Sequence, residues 1–491
     1  MTAKAIMFMG TGSDVGKSLI VAGLARAFTR QGLTVAPFKP QNMSNNAAVA
    51  VDGGEIGRAQ HLQAKAAGVR PSVHMNPVLL KPESETGAQV IVQGQRVATL
   101  KARDYFARRM EFLPAILDSF SILTANHDLV LVEGAGSPAE TNLRQGDLAN
   151  FGFATAANIP SVLVGDIHRG GVIASIVGTH TVLDDADRKL MKAFLINKFH
   201  GDPNLFDEGR KEIEQRCSMP CLGVIPHFAP ACHLPAEDAV ALEETTRPGN
   251  GSFKIAVLRL PRIANFDDLD PLRAEPGVAL SFVQPGEAIA GDTNLVIIPG
   301  SKSTIADLAA LRSNGWDIDL AAHVRRSGRV LGLCGGYQML GRRIHDPQGL
   351  EGPAGSCDGL ALLDVETTLL AEKTVMETTG NHAATGQPLH AYEIHLGSTS
   401  GPDCARPFAH TPNGADGATS PDGHIIGTYL HGCFTSDAFR RAFITLSGGT
   451  ASTLSYNKLI DTTLDDLAEH LARHVNLQMI LDLATAPKTT P

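Results

Sequence analysis

The chain has 491 residues and a formal net charge of −9, from 42 Lys and Arg against 51 Asp and Glu. With 43% hydrophobic and 19% charged residues it has an ordinary folded composition, which excludes a disordered chain, a collagen and a coiled coil. The acidic balance excludes a broad basic surface for nucleic acid, and the length suits two to four domains at roughly one per 150 residues.

The first half alternates short apolar runs with helical patterns. Strands are predicted at 5–9, 34–38, 129–133, 161–166 and 193–198, with a helix from Lys17 carrying Leu19, Ile20, Gly23, Leu24 and Ala27 near i, i+3, i+4 spacing. Such alternation predicts a parallel sheet covered on both faces. The stretch 236–252 is polar, with Pro and Gly near its end, and reads as a linker. A second alternation begins at 254–260 and continues at 295–298 and 330–333. Residues 400–424 read as a surface excursion and 452–485 as a helical tail. The apolar stretch 5–9 is too short for a signal-peptide core, and no window offers the ~18 apolar residues of a spanning helix. Seven scattered Cys are no disulfide framework and fit a reducing cytoplasm. Cys217, Cys221 and Cys232-His233 lack the spacing of a zinc site.

The first predicted strand runs into Gly10-Thr11-Gly12-Ser13-Asp14-Val15-Gly16-Lys17-Ser18 and then the helix. Strand, glycine-rich loop and helix together form the setting of a phosphate loop, in which backbone N–H groups and the helix dipole cradle phosphate oxygens. Lys17 is then placed for the β- and γ-phosphates and the Ser18 hydroxyl for Mg²⁺. Thr11 stands where the strict pattern has Gly, so the loop counted from Gly10 is one residue longer. Glu133, ending an apolar strand, is a candidate Mg²⁺ ligand or a helix-capping carboxylate; Asp52 is a Mg²⁺ ligand or a turn residue. Lys39 is a candidate for phosphate neutralisation or a solvated lysine. Asp166 sits at another strand end, facing acceptor or metal. Asn197-Lys198 either meets a purine edge or forms a turn.

A second constellation is Gly332-Leu333-Cys334-Gly335-Gly336, again between an apolar run and a helical pattern. Glycines on both sides fit a strained elbow that presents a nucleophile at a sheet edge. His431, ending the run Gly427-Thr428-Tyr429-Leu430, is the candidate base. Cleavage of an amide through a thioester needs oxyanion donors. Gly335 N–H is one candidate, and the second comes from the loop Pro299-Gly300-Ser301-Lys302, with Gly300 as the choice.

Together these residues resemble the cobyric acid synthases, glutamine-dependent amidotransferases of cobalamin biosynthesis. The most distinctive text is Pro37-Phe38-Lys39-Pro40-Gln41-Asn42-Met43-Ser44-Asn45-Asn46, Gly57-Arg58-Ala59-Gln60 and Met75-Asn76-Pro77-Val78-Leu79-Leu80-Lys81-Pro82. Glu133-Gly134-Ala135-Gly136, Asp166-Ile167-His168-Arg169-Gly170-Gly171, Tyr392-Glu393-Ile394-His395 and Tyr429-Leu430-His431-Gly432 add to it. The 10–18 loop looks like that of dethiobiotin synthetase, with the same extra residue.

The resemblance implies an α/β protein with four parts. These are an ATP-binding amidoligase domain over 1–235, built as a dethiobiotin-synthetase-like parallel sheet; the linker; a class I glutamine amidotransferase-like domain over 253–447; and a helical tail over 448–491. It implies ATP and Mg²⁺, and small-molecule partners only, namely glutamine and adenosylcobyrinic acid a,c-diamide, with Gln41, Asn42, Asp166 and Arg169 as candidates for substrate contact. Oligomeric state is left open. Where class I glutaminases commonly carry Glu two residues after the His, this chain has Cys433. A Cys–His dyad is therefore expected, with the orienting partner of His431 left open; Glu393 is a candidate substitute, though a structural role is the favoured reading for it. The rival readings are cobyrinic acid a,c-diamide synthase, a ParA-like partitioning NTPase and a plain glutaminase.

Overall fold

A computed structural model describes residues 3–82, 87–237 and 251–488; most of the expected linker, 238–250, lies outside the described residues. The chain forms two compact units. One comprises residues 1–44, 50–235 and 460–491, the other 45–49 and 236–459.

The first unit is built on six parallel strands: β1 (Lys4–Gly10), β2 (Val35–Phe38), β3 (Leu129–Glu133), β4 (Ser161–Asp166), β5 (Met191–Phe199) and β6 (Cys221–Pro226). Their order is β6-β5-β4-β1-β3-β2. Five follow the predicted strands to within two residues. β6, with its broken apolar pattern, carried no comparable signal. Because all six run one way, their carboxyl ends share an edge, and the chain switches sides of β1 between β3 and β4. Ligands of open α/β sheets bind outside such a switch point. Helices α1 (Lys17–Arg30) and α2 (Arg58–Ala66) pack against each other here. A small sheet of Gln41–Met43, Val78–Pro82, Gly87–Val92 and Gln95–Lys101 is inserted, and nothing in the sequence pattern announced it.

The C-terminal segment is not a free tail. Helix Tyr456–His474 crosses into the first unit, where Val475 bridges Gly223 and Thr485 bridges Ala5. Gly23 makes the docking possible: a Cβ there would come within 2.5 Å of Leu471 Cδ1 and 2.8 Å of Leu467 Cγ. Gly23→Leu should destabilise the protein by about 1–3 kcal/mol, the usual scale of overpacking. An unchanged melting temperature would show that the contact is slack.

The second unit carries β7 (Phe253–Leu258), β8 (Val278–Val283), β9 (Leu295–Ile298), β10 (Arg329–Leu333), β11 (Ala418–Thr419) and β12 (Ile425–Thr428), ordered β8-β7-β9-β10-β12-β11 and parallel except for β11. A long antiparallel hairpin, Glu366–His382 with Pro388–Ser400, forms a further sheet that includes Leu430–His431. Residues 400–424 are not merely a surface excursion: Phe408 and Ala418 are buried in the core with Phe439 and Phe443. No helix among the described residues is long and apolar enough to cross a membrane.

Candidate functional site

The 10–18 loop leaves β1 at the switch point, where Thr11 N–H donates to Val164 O of β4 at 2.9 Å. It turns into α1 at Gly16, whose φ of +92° belongs to the left-handed region. A side chain there would also overlap the Asn197 amide. Lys17 curls over the loop, its Nζ 3.1 Å from Gly12 O and 3.4 Å from Gly136 O.

Beneath it lies a buried polar cluster. Glu133 Oε1 accepts from Ser18 Oγ at 2.8 Å and from Lys39 Nζ at 2.9 Å. Glu133 Oε2 accepts from Gln63 Nε2 at 2.6 Å. Glu133 is therefore no helix cap, and Lys39 is no solvated lysine: their side chains are 1% and 5% exposed. A buried carboxylate beside a serine hydroxyl, next to the 10–18 loop, is a hard-oxygen donor set that fits Mg²⁺, which takes one or two protein ligands and leaves the rest to water and phosphate.

Two expectations need correction. Asp52 is not brought into this cluster; it is exposed and accepts from Ser72 Oγ at 2.6 Å and Val73 N–H at 3.0 Å, the work of a turn residue. Asn197 does not present its amide to a purine edge; it donates to Val15 O at 2.8 Å and so braces the loop. Asn42 is buried, donating to Gln60 Oε1 at 3.1 Å. Of the other candidates, Gln41 accepts from Tyr105 OH at 2.6 Å. Asp166 pairs with Lys198 Nζ at 2.9 Å, and Lys198 also reaches Asp14 O in the loop. Arg169 is exposed.

In the second unit β10 ends in Cys334, held at φ +49° and ψ −104°, followed at once by α3 (Gly335–Leu340). Such a backbone is costly for a residue with a side chain, and close packing enforces it. A Cβ on Gly332 would lie 2.6 Å from Leu340 Cδ1, and one on Gly336 would run into Ile298 O. The thiol is nearly buried, with Sγ 3.6 Å from Ile394 O.

His431 is brought to this thiol by pairing with Tyr392 in the antiparallel sheet, and the Tyr392 ring stacks on the imidazole. Its Nδ1 lies 2.6 Å from Asp268 Oδ2, while Asp268 Oδ1 accepts from Gly432 N–H at 2.5 Å. Both side chains are buried. His431 Nε2 has no hydrogen-bond partner among the described residues. Burial disfavours the charged ring, but Asp268 and the adjoining Cys334 outweigh it and push the His431 pKa up to about 10. Sequence reasoning missed Asp268. Glu393 is not the orienter; its carboxylate lies 3.2 Å from His395 Nε2. Cys433, fully buried, has its thiol pushed well above the ordinary range by desolvation, then by the Asp268 and Asp416 charges.

Gly300, Gly335, Cys334 and His431 do converge. A Cβ on Gly300 would stand 3.3 Å from His431 Cε1, and one on Gly335 would stand 3.0 Å from Ser301 N. Gly300 N–H is nevertheless not the free donor. Gly300 pairs with Ala264 in a short antiparallel ladder, and Pro299 before it has no N–H. The pair is therefore of the mutually hydrogen-bonded kind, which commits Gly300 N–H to Ala264 O. Ser301 N–H, one residue on, turns to the Gly335 side and replaces it as the candidate.

Residues 6–239 match the CobQ/CobB/MinD/ParA nucleotide binding domain family, and residues 254–439 match the CobB/CobQ-like glutamine amidotransferase domain family. The chain is 59% identical to cobyric acid synthase of Cereibacter sphaeroides over 98% of its own length and 99% of the relative's. It is 60% identical to that of Bradyrhizobium diazoefficiens, covering 98% and 100%, and 60% identical to that of Paracoccus denitrificans, covering 98% and 99%. With both domain families in this order and such identity from end to end, the chain belongs to the cobyric acid synthase family of glutamine-using amidoligases.

Proposed function

We propose that the protein amidates the b, d, e and g carboxylates of adenosylcobyrinic acid a,c-diamide in the cytoplasm, using one ATP and one glutamine for each. The observation that carries this reading is the presence in one chain of a phosphate loop over a buried Glu133–Ser18–Lys39 cluster and of a strained Cys334 beside a paired His431. Residues 1–235 serve as the synthetase and residues 253–447 as the glutaminase.

In the glutaminase, Cys334 Sγ attacks the glutamine amide carbon. His431 Nε2 takes the thiol proton and returns it to the leaving nitrogen, so ammonia departs and a thioester remains. Asp268 holds the ring with Nε2 turned to the sulfur. Gly335 and Ser301 N–H groups stabilise the oxyanion, each worth roughly 10²–10³ in rate. Water then releases glutamate. In the synthetase, a carboxylate is too poor an acyl donor for ammonia. Its oxygen attacks the γ-phosphorus, ADP leaves, and ammonia displaces phosphate from the acyl phosphate. Lys17, the loop N–H groups and Lys39 hold the phosphate charge in place. Ser18 and Glu133 would hold Mg²⁺, which supplies charge neutralisation between the phosphates. Asp166 and Arg169, at the same sheet edge, contact the acceptor.

The test is mass spectrometry of the corrinoid after incubation with ATP, Mg²⁺ and glutamine. Four successive mass steps are expected. Cys334→Ala should abolish them with glutamine and leave them intact with free ammonia. An unchanged corrinoid beside a competent glutaminase would remove the substrate assignment.

A further inference from the structure

Gln63 belongs to no motif of the phosphate loop, yet it is fully buried on α2 and reaches into the loop's cluster. Its Nε2 donates to Glu133 Oε2 at 2.6 Å and to the Ser18 carbonyl at 3.2 Å. Those two acceptors settle which end of the amide is the nitrogen, because the reverse would set Oε1 against a carboxylate. Oε1 is thereby left buried with no hydrogen-bond partner among the described residues. A buried amide oxygen without a donor is unusual in a native fold and is recovered when a ligand or water supplies one. The one side chain therefore ties both residues read as cation ligands to α2 and keeps an acceptor in reserve beside them.

We propose that Gln63 is a positioning residue for the divalent cation that accompanies the nucleotide. It fixes Glu133 and the start of α1 relative to each other, and its spare oxygen accepts from the hydrated cation, which keeps several waters in such sites. The inference rests on the phosphate-loop reading above. Outer-shell partners of this kind typically alter metal affinity by about 10–100-fold when removed. A purely structural Gln63 would instead lower nucleotide affinity with and without metal alike.

The experiment uses the full chain, ADP as nucleotide and Mn²⁺ as the cation. Calorimetry gives ADP affinity in chelator and in Mn²⁺, and the ratio is the metal-dependent gain. Gln63→Met keeps the volume and removes both polar atoms; Gln63→Asn keeps the amide but falls one carbon short, and serves if the Met variant does not fold. Glutaminase turnover within twofold of the parent checks folding. Either variant should leave metal-free ADP affinity within twofold and lose about 10–100-fold of the metal-dependent gain. A gain within twofold of the parent overturns the proposal, as does an equal fall in both affinities. A parent protein with no metal-dependent gain overturns the cation site itself, and the role of Gln63 with it.

Discussion

Asp268→Asn is expected to slow glutamine hydrolysis by about 10³–10⁴-fold, the scale seen when the carboxylate behind a catalytic histidine becomes an amide. The substitution is isosteric, and an amide oxygen can still accept from Gly432 N–H, so the turn survives. What changes is the imidazole. An amide NH₂ facing Nδ1 forces the tautomer that carries its proton on Nε2, the atom meant to receive one from Cys334. The charged ring also loses the carboxylate that holds its pKa up to about 10. Burial then prevails and drives the ring's pKa down, so the imidazolium is no longer held beside Cys334. Alkylation of Cys334 by iodoacetamide at neutral pH should therefore slow, while amidation from free ammonia is unaffected. Glutaminase within tenfold of the parent would make Asp268 a packing residue.

The second large effect is expected at Glu133. Glu133→Gln leaves Lys39 charged in a site where its partner is 1% exposed, and breaking a buried pair costs about 3–5 kcal/mol. The new amide nitrogen also faces Gln63 Nε2, so Gln63 must turn its oxygen over and give up the Ser18 carbonyl to avoid two opposed donors. Ammonia-dependent ADP release should fall by at least about 10²-fold, the scale for losing one electrostatic stabiliser. Glutamine hydrolysis by the other unit should persist. Because the stability loss alone could mimic inactivity, the decisive comparison is ADP release well below the melting temperature. Retention within fivefold there would leave Glu133 a structural role only.

The residues legible in the sequence are those whose function depends on local backbone. The phosphate loop and the Cys334 elbow are contiguous, and their glycines answer to close approaches within one strand–turn–helix unit. The residues that were missed or misplaced depend on distant pairing. Asp268 lies 163 positions from His431 in a short turn with no periodicity to advertise it. Gln63 sits on a helix whose face is defined only by what packs on it. Gly300 was a reasonable oxyanion donor until its ladder partner Ala264 claimed the N–H. Asp52 and Asn197 had the right chemistry for their expected roles but found nearer partners in Ser72 and Val15.

The class of fold, the two nucleotide and glutamine signatures and their order along the chain are all legible locally, because buried strands and glycine-tight turns are set by neighbours in sequence. Long-range packing selects the carboxylate that pairs with His431, the N–H that turns toward Gly335, and the seat of the C-terminal helix over Gly23. Those choices are made by hydrogen-bond partners and steric clearances between segments well separated in the chain, and a linear pattern of residue types carries no record of them.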